Sequence, residues 1–316
     1  MNPSRRSLAA ALLLAGAGAA VHAQAADAPA SYGGWSDVAL ETAADHFSTQ
    51  RAGAGGLFGY RSPWQYFGVA AQDSFYEQSG WHRDAPALFG IWRDQSRDTL
   101  AGVNAQAGIV QVAGRTRPIG DIDWALRPAP DTGVELLAAG GLVETQAALD
   151  QGIGYTFWGA SLEQRFAGHF TIIGLAAVQP ISDGNDRSHF RARLVWDALP
   201  DEGINLQLRW RQFHDSRVDV GPYFDPESYQ QWLAVVGLRK RAAGWTTTGS
   251  LGAGQETIHD GGTTRQPAYL AELRVEGPVA GNARLVVQAQ YTRSQAYANT
   301  PDYWWGSLHA TLIVPF

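Results

Sequence analysis

The sequence finishes on Trp304-Trp305-Gly306-Ser307-Leu308-His309-Ala310-Thr311-Leu312-Ile313-Val314-Pro315-Phe316, and counting back from Phe316 by twos splits it into unlike sets. Val314, Leu312, Ala310, Leu308, Gly306 and Trp304 form one register; Pro315, Ile313, Thr311, His309, Ser307 and Trp305 form the other. Successive side chains of a strand point to opposite faces. One face here is therefore apolar with an aromatic at its far end, and the other is mixed and largely polar. A strand divided in this way fits a wall with lipid on one side and water on the other.

The same period recurs along the chain. Candidate strands run over 35–47, 54–62, 64–78, 84–94, 100–113, 119–127, 132–145, 152–165, 170–180, 187–198, 204–215, 229–240, 245–258, 267–276, 283–294 and 304–316. They predict an all-β fold, a transmembrane antiparallel up-and-down β-barrel of about 16 strands, with 14 as the alternative. The open point is Ser62-Pro63, a turn between two strands or a bulge inside one long strand. Thirty-six Gly and thirty-five aromatics (12 Trp, 11 Tyr, 12 Phe) suit tight turns and interfacial girdles. Trp81, Trp92, Trp158 and Trp232 read as membrane-facing or interfacial anchors. There is no Cys, so neither a disulfide framework nor a thiolate metal site exists.

The N-terminal end has the form of an export leader. Arg5 and Arg6 precede an apolar stretch from Leu8 to Val21, and Ala23-Gln24-Ala25 offers small residues for cleavage. That stretch is too short for a membrane anchor. Ser4-Arg5-Arg6-Ser7-Leu8 also admits a twin-arginine leader, but a barrel that must reach its membrane unfolded suits the general export route. The expected division is a signal peptide at 1–25, a short periplasmic linker at 26–34 and a barrel at 35–316. The chain carries a formal charge of −6. Without Arg5 and Arg6, 22 basic residues face 30 acidic ones, a balance that argues against a nucleic-acid partner. Phe316 closing an alternating strand resembles the C-terminal signal by which Gram-negative outer-membrane barrels are recognised. The resemblance implies outer-membrane lipid and the barrel assembly machinery as partners, the latter through Phe316, and an outer-membrane location. With Phe316 periplasmic, the short connections at 241–244, 277–282, 199–203 and 166–169 share its side. The longer ones at 216–228, 259–266, 182–186 and 295–303 fall outside.

Alternation also assigns charges to faces. On 190–197, Phe190, Ala192, Leu194 and Trp196 oppose Arg191, Arg193, Val195 and Asp197; on 204–211, Ile204, Leu206, Leu208 and Trp210 oppose Asn205, Gln207, Arg209 and Arg211. Further on, Glu272 and Arg274 share one register, and Gln288 and Gln290 another. An Arg at mid-bilayer costs roughly 2–4 kcal/mol, so these groups must face the interior. Arg191, Arg193, Arg209, Arg211, Arg239, Glu272, Arg274, Gln288 and Gln290 are the expected lumen lining, with Trp305 near the outer rim. Two readings follow. Opposed Arg and carboxylate groups brace the wall of a narrow barrel, or they line a hydrated path whose donors and acceptors substitute for water around a polar solute.

Gly221-Pro222-Tyr223-Phe224-Asp225-Pro226-Glu227-Ser228-Tyr229 follows Arg209-Trp210-Arg211-Gln212-Phe213 and precedes Leu238-Arg239-Lys240-Arg241 and Trp245. This segment resembles the Gly-x-aromatic-aromatic-x-Pro-x-x-Tyr stretch in the C-terminal barrels of outer-membrane exopolysaccharide exporters of the cellulose-secretion and poly-N-acetylglucosamine type. The resemblance covers residues 204–258 and, beyond them, the architecture. It implies a conduit assisting polysaccharide export. Those exporters carry periplasmic helical repeats ahead of the barrel, whereas here about ten residues, Ala26 to Trp35, separate leader from first strand. A separate periplasmic scaffold would then hand over the polymer.

Catalytic constellations are thin, and no catalytic residue, metal or cofactor is expected. His214-Asp215-Ser216 is the tightest His/Asp/Ser cluster, though a triad is not built from chain neighbours. His259-Asp260 lacks further metal ligands. Asp183-Gly184-Asn185-Asp186 reads as a turn rather than a calcium loop. The rival classes are an outer-membrane enzyme acting on lipid A, phospholipid or surface polysaccharide, and a small-solute porin or structural barrel.

Overall fold

A computed structural model describes residues 31–294 and 303–316. Sixteen strands close into one antiparallel barrel: β1 Tyr32–Ala43, β2 Ser48–Ser62, β3 Gln65–Gln78, β4 Trp81–Gln95, β5 Gly102–Val112, β6 Arg115–Ala129, β7 Thr132–Leu142, β8 Gly154–Phe166, β9 Phe170–Pro180, β10 Asp186–Leu199, β11 Ile204–Asp215, β12 Ser228–Ala242, β13 Trp245–His259, β14 Thr263–Pro278, β15 Arg284–Arg293 and β16 Trp304–Pro315. Each strand pairs with its neighbours in sequence, and β1 closes on β16. Closure leaves no open sheet edge, the condition for backbone hydrogen bonds to be met in lipid. The expected leader at 1–25 lies outside the described residues.

Several boundaries differ from the sequence reading, and the open point at Ser62-Pro63 is settled. β1 begins at Tyr32, inside the expected linker, because Gly33 pairs with Pro315 on one side and Leu57 on the other. Residues 44–47 form a turn, and β2 reaches back to Ser48. Pro63 and Trp64 make a second turn, closed by the Ser62–Gln65 pair, so the count is sixteen and not fourteen. Beside it, Gly59 at φ 54° bends β2 where the register shifts, a conformation that glycine adopts without strain.

The outer surface carries the apolar register of every strand. Leu251, Leu88 and Leu308 stand exposed at mid-wall. Aromatics gather toward the rims: Phe166, Phe170 and Trp196 stack near the end that holds both termini, and Tyr291 on Trp304 near the other. This apolar band between two aromatic girdles is the surface a bilayer requires. Trp92, Trp158 and Trp232 belong to it. Trp81 does not: its indole turns inward and donates to both carboxylate oxygens of Asp150 at 3.1 Å.

The inner face is not uniform. Along β1–β5 it is a packed apolar core in which Trp35, Leu57, Tyr66, Phe89, Ile91 and Val110 are buried together. Trp35 meets Phe89 edge-on at 5.7 Å. Gly53 makes room for it, since a Cβ there would lie 3.1 Å from the indole. The inner face of β10, β11, β14 and β15 is polar and charged.

Candidate functional site

A cavity of about 630 Å³ occupies the lumen beside the apolar core, between mid-barrel and the termini end. Arg191, Arg193, Arg209, Arg211, Glu272 and Gln290 line it, as their register predicts, together with Gln231 and the pair Arg127 and Glu163. Alternation delivers them: on β10 and β11 the intervening Phe190, Leu194, Leu206 and Leu208 face outward. Arg209 is held in place by Gln207 at 2.8 Å, Glu272 at 3.0 Å and Ser250 at 3.3 Å. Arg211 donates to the Tyr229 hydroxyl at 3.0 Å and to Ser294 at 3.1 Å, with its guanidinium 5.1 Å over the Tyr229 ring. Arg239, Arg274 and Gln288 continue the inward registers outside this cavity. Arg274 pairs with Glu276 at 2.9 Å, and Gln288 stands across from it in the β14–β15 register. Asp197, expected to pair with the arginines, has no ion pair among the described residues.

A second cavity of about 400 Å³ lies at the opposite mouth, lined by Glu41, Arg51, Glu144, Tyr155, Tyr223, Tyr303 and Trp305 among others. Trp305 and Tyr303 thus stand on the inner side at the rim, as their register indicates. The Trp305 indole donates to Glu41 at 3.3 Å.

Among the described residues two connections fold inward at this mouth; the sequence reading missed the first and placed the second, 216–228, on the outside. The first is 143–153, which follows β7 three residues before the expected strand end. It contains a short helix, α1, Gln146–Gln151. Thr145 caps it by accepting from the Ala148 N–H at 3.3 Å, and Gly152 ends it in the left-handed region at φ 61°. Six residues are too few for a helix to persist alone. Burial of Ala148 and Leu149 holds this one against the barrel core. Glu144 reaches Arg51, which also binds Glu41, and Asp150 binds Arg83. Burial pushes the Glu144 carboxyl above its ordinary range, with Arg51 opposing. The hydrogen bond from Arg83 holds Asp150 below its own. A Thr followed by helix formers and then Gly was the available signal.

The second is the aromatic segment between β11 and β12. Asp225 turns it by accepting from the N–H groups of Val220 and Gly221, both at 2.9 Å. Phe224 packs edge-on against Phe213 and Tyr229, which stack on each other at 4.8 Å. Tyr223 donates to Asp183 at 2.7 Å, and Arg187 donates to the Phe224 carbonyl. Val220 stays exposed while Tyr223 to Pro226 are buried. The two segments meet where the Thr145 hydroxyl donates to the Pro222 carbonyl at 2.6 Å. Beneath them Glu256, wholly buried, accepts from Tyr229, Ser294 and Gln266 at 2.6–2.7 Å.

The barrel wall separates the one tight catalytic-looking cluster. Asp215 faces inward and pairs with Arg187 at 2.8 Å, whereas His214 occupies the outward register. Asp183 to Asp186 form the expected turn, with the Asn185 N–H on the Asp183 carboxylate at 3.1 Å and Gly184 at φ 91°.

A closed sixteen-strand wall with an apolar belt outside and a charged lumen inside decides the class. The chain is a Gram-negative outer-membrane β-barrel. The barrel is similar in fold to a bacterial polysaccharide outer membrane secretin, with a TM-score of 0.62 and 10% identity over 90% of this chain and 98% of that one. It is also similar to CdiB from Acinetobacter baumannii (TM-score 0.49, 9% identity, 90% of this chain and 60% of that one). OprD from Pseudomonas aeruginosa gives a TM-score of 0.45 at 12% identity over 90% of this barrel and 94% of that protein. No family model and no curated protein matches its sequence.

Proposed function

We propose that the barrel is a passive conduit assisting export of a polysaccharide, without catalysis of its own. One observation carries this reading: the lumen holds two cavities, the inner lined by donor and acceptor side chains and the other, at the opposite mouth, flanked by Trp305 and Tyr303. Guanidinium, amide and carboxylate groups can replace water around sugar hydroxyls, and aromatic faces at the rim suit sugar rings. The fold shared with a polysaccharide secretin, across nearly all of that chain, gives a precedent. The inner residues of the path are Arg191, Arg193, Arg209, Arg211, Glu272 and Gln290, with Arg239, Arg274 and Gln288 toward the termini end. A passive barrel has no energy source, so synthesis behind it or a concentration gradient drives movement, and a separate periplasmic scaffold delivers the chain.

A small-solute porin is the second reading, favoured by the two segments that narrow the mouth. A polymer requires them to swing aside; a small solute does not. Both readings place the termini in the periplasm. In this Cys-free chain, a single Cys at Val220 is then labelled in intact cells and one at Ala242 is not; the reverse pattern inverts the orientation. Phe316, held to β1 through mutual backbone bonds with Tyr32, is proposed as the assembly signal. Phe316→Ser should lower the amount of folded, heat-modifiable barrel. The deciding experiment joins planar-bilayer conductance of the purified protein to surface polysaccharide on gene deletion. Conductance with loss of surface polymer supports export. Conductance with unchanged polymer favours the porin, and neither effect removes both.

A further inference from the structure

The arginines of β10 and β11 stand in direct opposition. Arg191 is the cross-strand partner of Arg211, and Arg193 of Arg209. Like charges placed opposite each other on one face destabilise a strand pair. At two other places in the same lumen an arginine meets a carboxylate instead: Arg187 faces Asp215 across the same two strands, and Arg127 lies 3.5 Å from Glu163. At the quartet, Glu272 is already engaged by Arg209, and Arg193 has no hydrogen-bond or ion-pair partner among the described residues. Wall partners hold Arg209 and Arg211 but leave Arg193 without one, and the two opposed arginine pairs are offset by an incoming negative charge.

The surroundings narrow what carries that charge. In the strand registers Arg191 lies beside Leu175 and Arg193 beside Ile173 on β9, while Arg209 lies beside Leu233 on β12. Aliphatic flanks lower the local dielectric, so an anion held between the guanidinium groups is bound more strongly than in open water. They also offer apolar surface to the C–H faces of a sugar ring. Guanidinium forks match carboxylate and phosphate oxygens two at a time. Residues two apart on a strand are about 7 Å apart, so successive charges on one chain can be met in turn.

We infer that the Arg191, Arg193, Arg209 and Arg211 quartet is a binding station for carboxylate or phosphate groups carried on a sugar chain. The inference rests on the conduit reading and gives it a substrate class, an acidic polysaccharide.

Isothermal titration of the refolded full-length barrel tests it, with hexagalacturonate, its neutral methyl ester, and inorganic phosphate as probes. Hexagalacturonate should bind at least tenfold tighter than the ester, and less tightly as salt is raised. The double variant Arg191→Gln/Arg193→Gln should weaken hexagalacturonate binding at least tenfold. Arg193→Lys, which keeps the charge without the fork, should fall between, and Lys240→Gln at the rim should stay within twofold. Heat-modifiability checks that each variant is folded. Equal affinity for acid and ester overturns the inference while leaving the conduit intact. Phosphate binding as tight as hexagalacturonate overturns the sugar-chain assignment in favour of a small-anion porin, and binding of none of the three overturns it outright. The conduit reading itself fails separately, on conductance and surface polysaccharide.

Discussion

The two halves of the lumen face the same space with opposite chemistry. The β1–β5 wall turns Trp35, Leu57, Tyr66 and Phe89 inward, buried against one another as in a soluble core. The β10–β11 wall turns four arginines toward a cavity. Both walls have apolar outer faces, so lipid does not distinguish them. What differs is the inner neighbour: side chains from adjacent strands on one wall, open volume on the other. The dry half stiffens the barrel and gives α1 an apolar seat, since Leu149 belongs to its core. The wet half is freed from a packing role and can keep charges that oppose each other.

Substitutions that exchange these roles test the contrast. Trp35→Ala should have the largest effect, a loss of about 3–5 kcal/mol from the cavity left in a packed interior, read by urea unfolding of the barrel in lipid vesicles. A loss below about 1 kcal/mol, well under that range, would show that this half is no core. Next, Arg51→Gln leaves the half-buried Glu144 beside Glu41 without its cation, at about 1–3 kcal/mol. It should release 143–153, seen as faster proteolysis within that segment and larger single-channel conductance. Thr145→Val removes the hydroxyl that joins the two mouth segments and caps α1, an effect of about 0.5–2 kcal/mol. More frequent openings in bilayer recordings, with unfolding almost unchanged, are expected. Smallest of all, Arg193→Gln should alter stability by no more than about 0.5 kcal/mol, or raise it, because it relieves a like-charge pair. A loss comparable to that of Trp35→Ala would make the arginine wall structural and erase the distinction.

Legibility followed the same division. Where a strand set charged residues against apolar ones, as at Arg191, Arg209, Glu272 and Gln290, lipid could tolerate one face only, and those side chains fell where alternation put them. β2 offered no such contrast. Ala52-Gly53-Ala54-Gly55-Gly56 is small on both faces, and the first residues of β2 were missed. On β3 and β4, Val69 and Leu88 go outward while Tyr66 and Phe89 go inward, so apolarity does not mark the lipid side. Trp81 was misplaced for that reason.

The sequence by itself determined a closed antiparallel barrel, because alternation repeated over some sixteen segments has one solution in lipid, and it determined which charges face in. Only the tertiary structure decided what meets them there. Closure sets the inward faces of five neighbouring strands side by side, so their apolar groups exclude water as a core. It also places Leu149 and Phe224, from segments more than seventy residues apart, at one mouth. Leu149 is buried against the β1–β5 core, far from it in sequence, and Phe224 against Phe213 and Tyr229 of the strands that flank its segment. Burial there draws both connections inward, and for 143–153 the partners are neighbours in space and not in sequence.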